Sequence, residues 1–370
     1  MRVASVVGTR PQLIKAAALE PLLRERHDAT LIDTGQHWDD ALAGNFFAEL
    51  GLARPERSLD AGGGTHAQQT AAMLTGLEPI LDDRRPDVVV VYGDTNSTLA
   101  GALAAAKLGI PVAHVEAGLR SFDRRMPEEL NRIVADHLST WLLAPTPTAV
   151  ANLAAEGIVA GVTLVGDLMQ DLAARMLSGI RDRSVLEGID PPGLHPGGYL
   201  FATIHRAENR ESDAIAAWAG LLERVARQDR PVVLALHPGT VAALEDSGVA
   251  LDPDVRVVAP TGYRASLALQ LHAAAVLTDS GGVQREAAWL GVPCLVLRGT
   301  TEWREAVEGS AGRMVVVGLD AGRAEADLAR LAPADRSAEL ARQRAATVSI
   351  EPAGAAAAIL AALDRPPGLG

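Results

Sequence analysis

Short apolar runs alternate along the chain with longer stretches whose apolar residues recur at helical spacing. Arg2–Val7 reads as a strand, Pro11–Arg26 as a helix and Thr30–Asp33 as a second strand. Helical patterns follow at Phe46–Leu50 and His66–Leu81. Val88–Tyr92 is an unbroken apolar run, the kind a parallel sheet buries on both faces. Thr95–Leu108 then reads as a helix and Val112–Val115 as a strand. After a less regular middle the rhythm returns, with strands at Tyr199–Ile204, Val232–Leu236, Val255–Val258, Val276–Thr278 and Cys294–Leu297. A helical pattern covers Asp213–Arg227, and an Ala-rich one covers Ala353–Leu363. This βαβα order predicts an α/β protein of two Rossmann-like, doubly wound domains facing a cleft. The expected domains are residues 1–168 and 169–350. Residues 351–370 form a C-terminal helix and tail expected to pack across the junction.

A length of 370 residues fits two domains. With 48% hydrophobic and 22% charged residues, a disordered chain is excluded. Lys plus Arg number 34 against 46 Asp plus Glu, a net charge of −12, which is the wrong balance for a non-specific nucleic-acid binder. Cys294 is the single cysteine, so neither an intramolecular disulfide nor a metal site of several thiolates can form. The start MRVASVVGTRP lacks the pattern of a secretory signal, and no stretch of about 18 apolar residues is free of charge. No membrane span is expected, and a cytoplasmic location is.

Ligands of open parallel sheets bind beyond the carboxyl ends of the strands. The first such end carries Gly8-Thr9-Arg10-Pro11, with Lys15 in the next helix. This is either an anion site at a helix N-terminus or an ordinary turn. Thr34-Gly35-Gln36-His37 would touch substrate or cap a helix. Asp94, in Gly93-Asp94-Thr95-Asn96, is a catalytic candidate or an N-cap. His114 and Glu116 share a strand face in His114-Val115-Glu116-Ala117-Gly118-Leu119-Arg120. Glu128 and Glu129 follow Pro127 in the first turn of a helix, where carboxylates also suit the helix dipole. Asp94, Glu116 and Glu128 together suggest acid–base chemistry.

In the second half His205-Arg206 ends a strand, as His237-Pro238 does. His205 reads as a proton donor beside a phosphate clamp or as a structural hydrogen-bonder. Thr278-Asp279-Ser280-Gly281-Gly282-Val283-Gln284-Arg285-Glu286 joins a strand to a helix. Its backbone N–H groups can cradle a diphosphate, and Glu286 can accept from a ribose. The spacing fits neither the nicotinamide fingerprint nor the P-loop.

These motifs, GTRPQLIK, TGQHWDD, GDTNSTLAGALAAAKLGIPVAHVEAGLRSFDRRMPEELNR, ATIHRAEN and DSGGVQREAAWLGVPCLVLRGTTEW, resemble the non-hydrolysing UDP-N-acetylglucosamine 2-epimerases over most of the chain. The resemblance implies a GT-B-like fold and interconversion of UDP-GlcNAc with UDP-ManNAc, or of a related UDP-2-acetamido sugar. UDP is eliminated to give a 2-acetamidoglucal and then added back. It implies Asp94, Glu116, Glu128 and His205 as catalytic residues. Arg10, Lys15, Ser280, Gly281, Gly282 and Glu286 are the implied nucleotide-sugar contacts. No cofactor or metal is implied. The expected partners are a UDP-sugar and a second copy of the chain, with no nucleic acid and no membrane.

Four departures stand out. Gln12 replaces a common Glu after GTRP, and Trp303-Arg304 replaces an Arg-Pro pair after TTE. Pro260–Ser266 carries small polar residues in the segment that helps hold the uracil. Trp38 and Asp39 alter the segment tied to allosteric binding of a second UDP-GlcNAc, so hyperbolic kinetics are expected. The alternatives are a GT-B glycosyltransferase, a hydrolysing variant releasing UDP, and a non-catalytic nucleotide-sugar sensor.

Overall fold

Val88–Tyr92 is buried along its whole length because strands lie on both of its edges and helices cover both of its faces. It is the centre of the first of two sheets in a computed structural model that describes residues 1–36, 47–236 and 238–365. His37, Trp38, Asp39, Asp40 and His237 therefore lie outside the described residues. The chain divides into two units, Met1–Leu172 with Glu351–Gly370, and Ala173–Ile350.

The first unit runs β1 (Arg2–Val7), α1 (Arg10–Arg26), β2 (Asp28–Asp33), β3 (Arg57–Ser58), α2 (His66–Arg84), β4 (Val88–Tyr92) and α3 (Asn96–Lys107). It continues with β5 (Val112–Val115), α4 (Pro127–Leu138), β6 (Trp141–Ala144), α5 (Pro147–Ala155) and β7 (Val162–Leu164). Phe47–Leu50 is also helical. The parallel sheet has the order β3-β2-β1-β4-β5-β6-β7. Strand order reverses between β1 and β4, so the chain leaves a crevice beyond their carboxyl ends. Val91 pairs with His114 and Tyr92 with Val115, which sets Gly93 level with Glu116.

α6 (Leu168–Met176) carries the chain into the second unit. There follow β8 (Leu200–Ile204), α7 (Ser212–Val225), β9 (Val232–Leu236), α8 (Pro238–Ser247), β10 (Val255–Val258), α9 (Tyr263–His272) and β11 (Val276–Thr278). Then come α10 (Gly281–Trp289), β12 (Cys294–Val296), α11 (Arg304–Gly309), β13 (Met314–Val316), α12 (Ala321–Leu331) and α13 (Ser337–Thr347). This parallel sheet has the order β10-β9-β8-β11-β12-β13, and its reversal lies between β8 and β11. Thr278 is paired with Thr203, which brings the turn after β11 beside His205.

Each sheet has its own apolar core. Val6, Val89, Val91, Leu77 and Ala102 are fully buried in the first, and Leu200, Trp218, Leu234 and Leu277 in the second. The last helix, α14 (Ala355–Leu363), packs on α1 and β6 of the first unit. The Asp171 carboxylate accepts from the Gly354 and Ala356 amides at its start, at 2.9 and 3.0 Å. The α/β class and both doubly wound sheets are as expected. The apolar pattern does not announce β3, β6, β7 or β13, because strands of two to four residues are too short to display a period. Among the described residues no helix is long and apolar enough to cross a membrane.

Candidate functional site

Beyond β4 the chain turns through Gly93 at φ +63°, a conformation glycine adopts without a Cβ penalty. A Cβ there would lie 3.1 Å from Lys15 Nζ and 3.3 Å from Glu116 Oε2, so the backbone also makes room for these two side chains. Lys15, on α1, and Glu116, just past β5, form a close ion pair with both side chains 8% exposed. Glu116 itself stands at φ +69°, which for a residue with a Cβ costs about 1–2 kcal/mol. Strain of this kind persists only where the surroundings enforce it, and it clusters at functional sites.

The surroundings here are two residues of the same motif. His114 is fully buried, donates from Nε2 to the Gly93 carbonyl at 2.7 Å and places Nδ1 2.7 Å from Asp136 Oδ1. The other Asp136 oxygen takes Arg120 Nη1 at 2.7 Å and the Gly118 amide at 3.1 Å. Burial alone would raise the Asp136 carboxyl, but His114 and Arg120 outweigh it and hold it below the ordinary range. His114 and Arg120 therefore brace the turn that presents Glu116.

Asp94 is not the helix cap. Thr95 occupies that position, and Gln36 Oε1 accepts from the Ser97 amide and hydroxyl at 3.0 and 2.7 Å. Thr34 bonds Ser97 as well, at 2.8 Å, so the described part of the Thr34–Gln36 cluster serves the start of α3. Asp94 instead pairs with Arg132 Nη2 at 2.5 Å. Arg132 also binds Glu129 at 2.8 Å, and Glu129 accepts from the Ser121 and Phe122 amides at 2.8 and 2.9 Å. Burial would raise Glu129, yet these amides, the Ser121 hydroxyl and Arg132 keep it below the usual value. Glu129 is thus a structural clamp on the loop before α4. Glu128 is half-buried and its carboxylate has no hydrogen bond or ion pair among the described residues. It lies four residues before Arg132, on the same face of α4 as the guanidinium that holds Asp94.

Arg10 opens α1, half-buried, behind the N-cap Thr9. Gln12 explains its departure from Glu. Its Oε1 accepts from the Gly8 amide at 2.8 Å, while its Nε2 donates to the Tyr92 carbonyl at 2.7 Å and Thr98 Oγ1 at 2.9 Å. A carboxylate supplies no such donors.

In the second unit Asp279 organises the corresponding turn. Its buried carboxylate accepts from the His205 amide at 3.1 Å, the Arg206 amide at 2.9 Å and Asn209 Nδ2 at 2.8 Å, and lies 3.2 Å from His205 Nδ1. Burial pushes this carboxyl up, but His205 and the amides bring it down to about 2. The His205 ring is held by one nitrogen and remains 42% exposed.

Ser280 caps α10 by accepting from the Val283 amide at 3.4 Å. The amides of Gly281 and Gly282, at the first two positions of the helix, have no intrahelical acceptor. A Cβ on Gly281 would lie 2.6 Å from Glu302 Oε1 and 3.0 Å from Trp303 Nε1. Glu302 is pinned by Arg206 at 3.1 Å and Arg298 at 2.7 Å. Trp303 carries the Arg285 guanidinium 3.8 Å above its ring. Glu286 is buried and accepts from Gln270 Nε2 at 2.6 Å.

The sequence-chosen residues thus form two groups. In the first unit Lys15 meets Glu116, Asp94 meets Arg132, and Glu128 lies one turn from Arg132. In the second, His205 and the Ser280–Gly282 turn meet through Asp279, while Glu286 is oriented by α9. Sequence reasoning does not select Arg132, Asp136, Asp279 or Glu302, although each lies within or beside a motif. Among the described residues no group of three or more His, Cys, Asp and Glu is placed to hold a metal ion.

A family model described as UDP-N-acetylglucosamine 2-epimerase matches residues 22–361. UDP-2,3-diacetamido-2,3-dideoxy-D-glucuronate 2-epimerase of Pseudomonas aeruginosa is 42% identical over 325 residues, 86% of this chain and 88% of that protein. UDP-N-acetylglucosamine 2-epimerase of Methanocaldococcus jannaschii is 40% identical over 323 residues, 85% of this chain and 88% of that one. The crystal structure of Methanocaldococcus jannaschii UDP-GlcNAc 2-epimerase with UDP-GlcNAc and UDP is similar with a TM-score of 0.85 and 35% identity, covering 98% of this chain and 99% of that one.

Proposed function

The chain belongs to the UDP-N-acetylglucosamine 2-epimerase family, and from that premise we propose that it is a non-hydrolysing nucleotide-sugar 2-epimerase acting on a UDP-2-acetamido sugar. The observation that carries the reading is Glu116: a buried carboxylate at a strained, left-handed position, braced from behind and ion-paired with Lys15.

Inverting C2 of such a sugar lacks the help of an adjacent carbonyl. Removing the C2 proton while the C1–O bond breaks releases UDP and a 2-acetamidoglucal. UDP then returns as C2 is protonated on the other face. The step needs a base on one face, an acid on the other, and compensation for charge developing at C1 and on the diphosphate. Asp94, Glu116 and Glu128 are the carboxyl groups assigned to the first three needs. Lys15 pairs with Glu116 and Arg132 with Asp94, which fixes both carboxyl groups in place. Arg10, His205 and the Gly281 and Gly282 amides are assigned to the diphosphate, and Glu286 to the ribose. A bidentate or paired carboxylate loses little orientation freedom, which is what a proton transfer on a chosen face requires.

The test is proton NMR of UDP-GlcNAc with the protein in D2O, repeated with UDP-2,3-diacetamido-2,3-dideoxy-glucuronate. Deuterium at C2 and appearance of the manno product, with no acceptor present, are expected for one of them. Net release of free sugar and UDP would favour the hydrolysing reading. Turnover only with an added acceptor would favour a glycosyltransferase, and binding without turnover a sensor.

A further inference from the structure

We infer that the second unit holds another ligand site, for a small phosphorylated molecule that also carries hydroxyl groups, at the amino-terminal end of its sheet, opposite the Ser280–Gly282 turn. A solvent-open pocket of about 410 Å³ lies there, lined by exposed Arg181, Asp182, Arg183 and Arg342 and by buried Pro196 and His272. Its place follows from topology. Pro196 precedes β8 and His272 ends α9 before β11 begins, so both sit at the amino ends of the strands. The nucleotide-binding candidates sit at the carboxyl ends. The volume is within the range of small-molecule sites.

The lining has an unusual charge for this protein. Three guanidiniums face one carboxylate in a chain whose net charge is −12. The end of α9 does not consume them, because Arg344, from α13, already donates to the Leu271 and Ala273 carbonyls. Arg181 is fixed by donation to the Ala346 and Val348 carbonyls. Among the described residues the Arg342 side chain has one exposed pair, with Glu339 at 3.2 Å. The exposed Arg183 side chain makes no hydrogen bond or ion pair among the described residues. Arginine in such groups suits the planar recognition of phosphate oxygens.

His272 adds an independent signal. It is 1% exposed and donates from Nε2 to the Ile180 carbonyl at 2.9 Å, which leaves Nδ1 an acceptor. Nδ1 is buried with no hydrogen-bond partner among the described residues. A buried acceptor of this kind calls for a donor. A phosphate monoester in its dianionic form brings none, whereas a hydroxyl on the same ligand does. Asp182, on the same wall, can accept from a second hydroxyl through the oxygen not bonded to the Ser184 amide. The site therefore matches a sugar phosphate better than a bare anion.

The experiment is calorimetry at pH 8 with glucose 6-phosphate and with methyl phosphate, a monoester without a hydroxyl, in one equivalent of UDP so that the strand-end site is filled and the second site is left open. Glucose 6-phosphate is expected to bind with a Kd below about 1 mM, and about tenfold or more weaker in Arg183→Ala/Arg342→Ala. UDP affinity and turnover of that variant should stay within about twofold of the parent. His272→Phe, which keeps the ring volume, should bind both probes alike. Absence of glucose 6-phosphate binding, binding undiminished in the double arginine variant, or equal affinity for methyl phosphate in the parent would overturn the inference. A protein that fails to bind UDP but passes these tests would count against the epimerase reading alone.

Discussion

Replacing Glu116 with Gln separates catalysis from folding. The side chain keeps its length, so it still reaches Lys15, and the φ of +69° still has to be held by the His114–Asp136–Arg120 brace. What changes is the charge. The bond from Lys15 becomes one between an ammonium and a neutral carbonyl, for which a loss of about 1–2 kcal/mol is expected. Lys15→Met removes the hydrogen bond as well as the counter-charge: it leaves a carboxylate 8% exposed with neither, and breaking a buried pair from one side costs about 3–5 kcal/mol. If Glu116 is an acid or base, its Gln variant should lose turnover by at least about 100-fold, equivalent to about 2.7 kcal/mol of barrier. Urea unfolding and the NMR assay on the same preparation measure the two quantities. A Glu116→Gln protein that is stably folded and turns over at a near-normal rate would remove Glu116 from the mechanism, and a stability loss as large as that of Lys15→Met would show that the counter-charge on Lys15, not the retained hydrogen bond, holds the pair.

Four further outcomes follow from other contacts. Gln12→Glu should destabilise by about 1–3 kcal/mol at pH 7, since the Tyr92 carbonyl loses its donor, and the difference from the parent should shrink as pH falls and the new carboxyl gains a proton, as read by thermal unfolding. Gly282→Val should weaken UDP binding by about tenfold or more in calorimetry with little change in Tm; unchanged affinity would make the turn purely structural. Asp279 titrates near 2 when folded and near 3.8 when not, so its contribution of about 2 kcal/mol is complete above pH 4 and fades as pH falls toward 2. Denaturation of Asp279→Asn should lack that part of the acid dependence, while its UDP affinity falls as the His205 turn loosens. Arg132→Met should impair turnover as strongly as Asp94→Asn, because the guanidinium that positions Asp94 is lost; a variant with normal kcat would make that ion pair incidental.

The strands and helices that bear the site were legible because each is a clear run of apolar or amphipathic sequence ending in a chemical motif. Val88–Tyr92 followed by Gly93-Asp94 is the plainest case. What the sequence hid were partners supplied from elsewhere. Arg132 is an ordinary helical arginine until the fold brings it to Asp94 from 38 positions away. Asp279 is read as the first letter of a glycine-rich turn, yet its oxygens serve residues 205–209, and only the β8–β11 register makes that visible. His114 illustrates the opposite error: alternation places it on the face of Glu116, but its ring is consumed by Gly93 and Asp136. Trp141–Ala144 and Val162–Leu164 stayed hidden because four and three residues carry no measurable period.

The return of α14 to the first unit has a bearing on how the protein is made. The polypeptide leaves the ribosome in order, at about 5–20 residues per second. β1 and α1 emerge before the second unit, but the helix that packs on α1 and β6 is encoded after it. For the whole time that Ala173–Ile350 is being synthesised, the first unit lacks this helix, and the side of α1 that it covers stays open although β1, β2 and β4 already pack on the helix. The second unit is a continuous stretch and can complete itself earlier. Translation order and folding order are therefore reversed for the two units. A nascent chain halted before Ala355 should present an incompletely folded first unit to chaperones and proteases even after all seven of its strands have appeared.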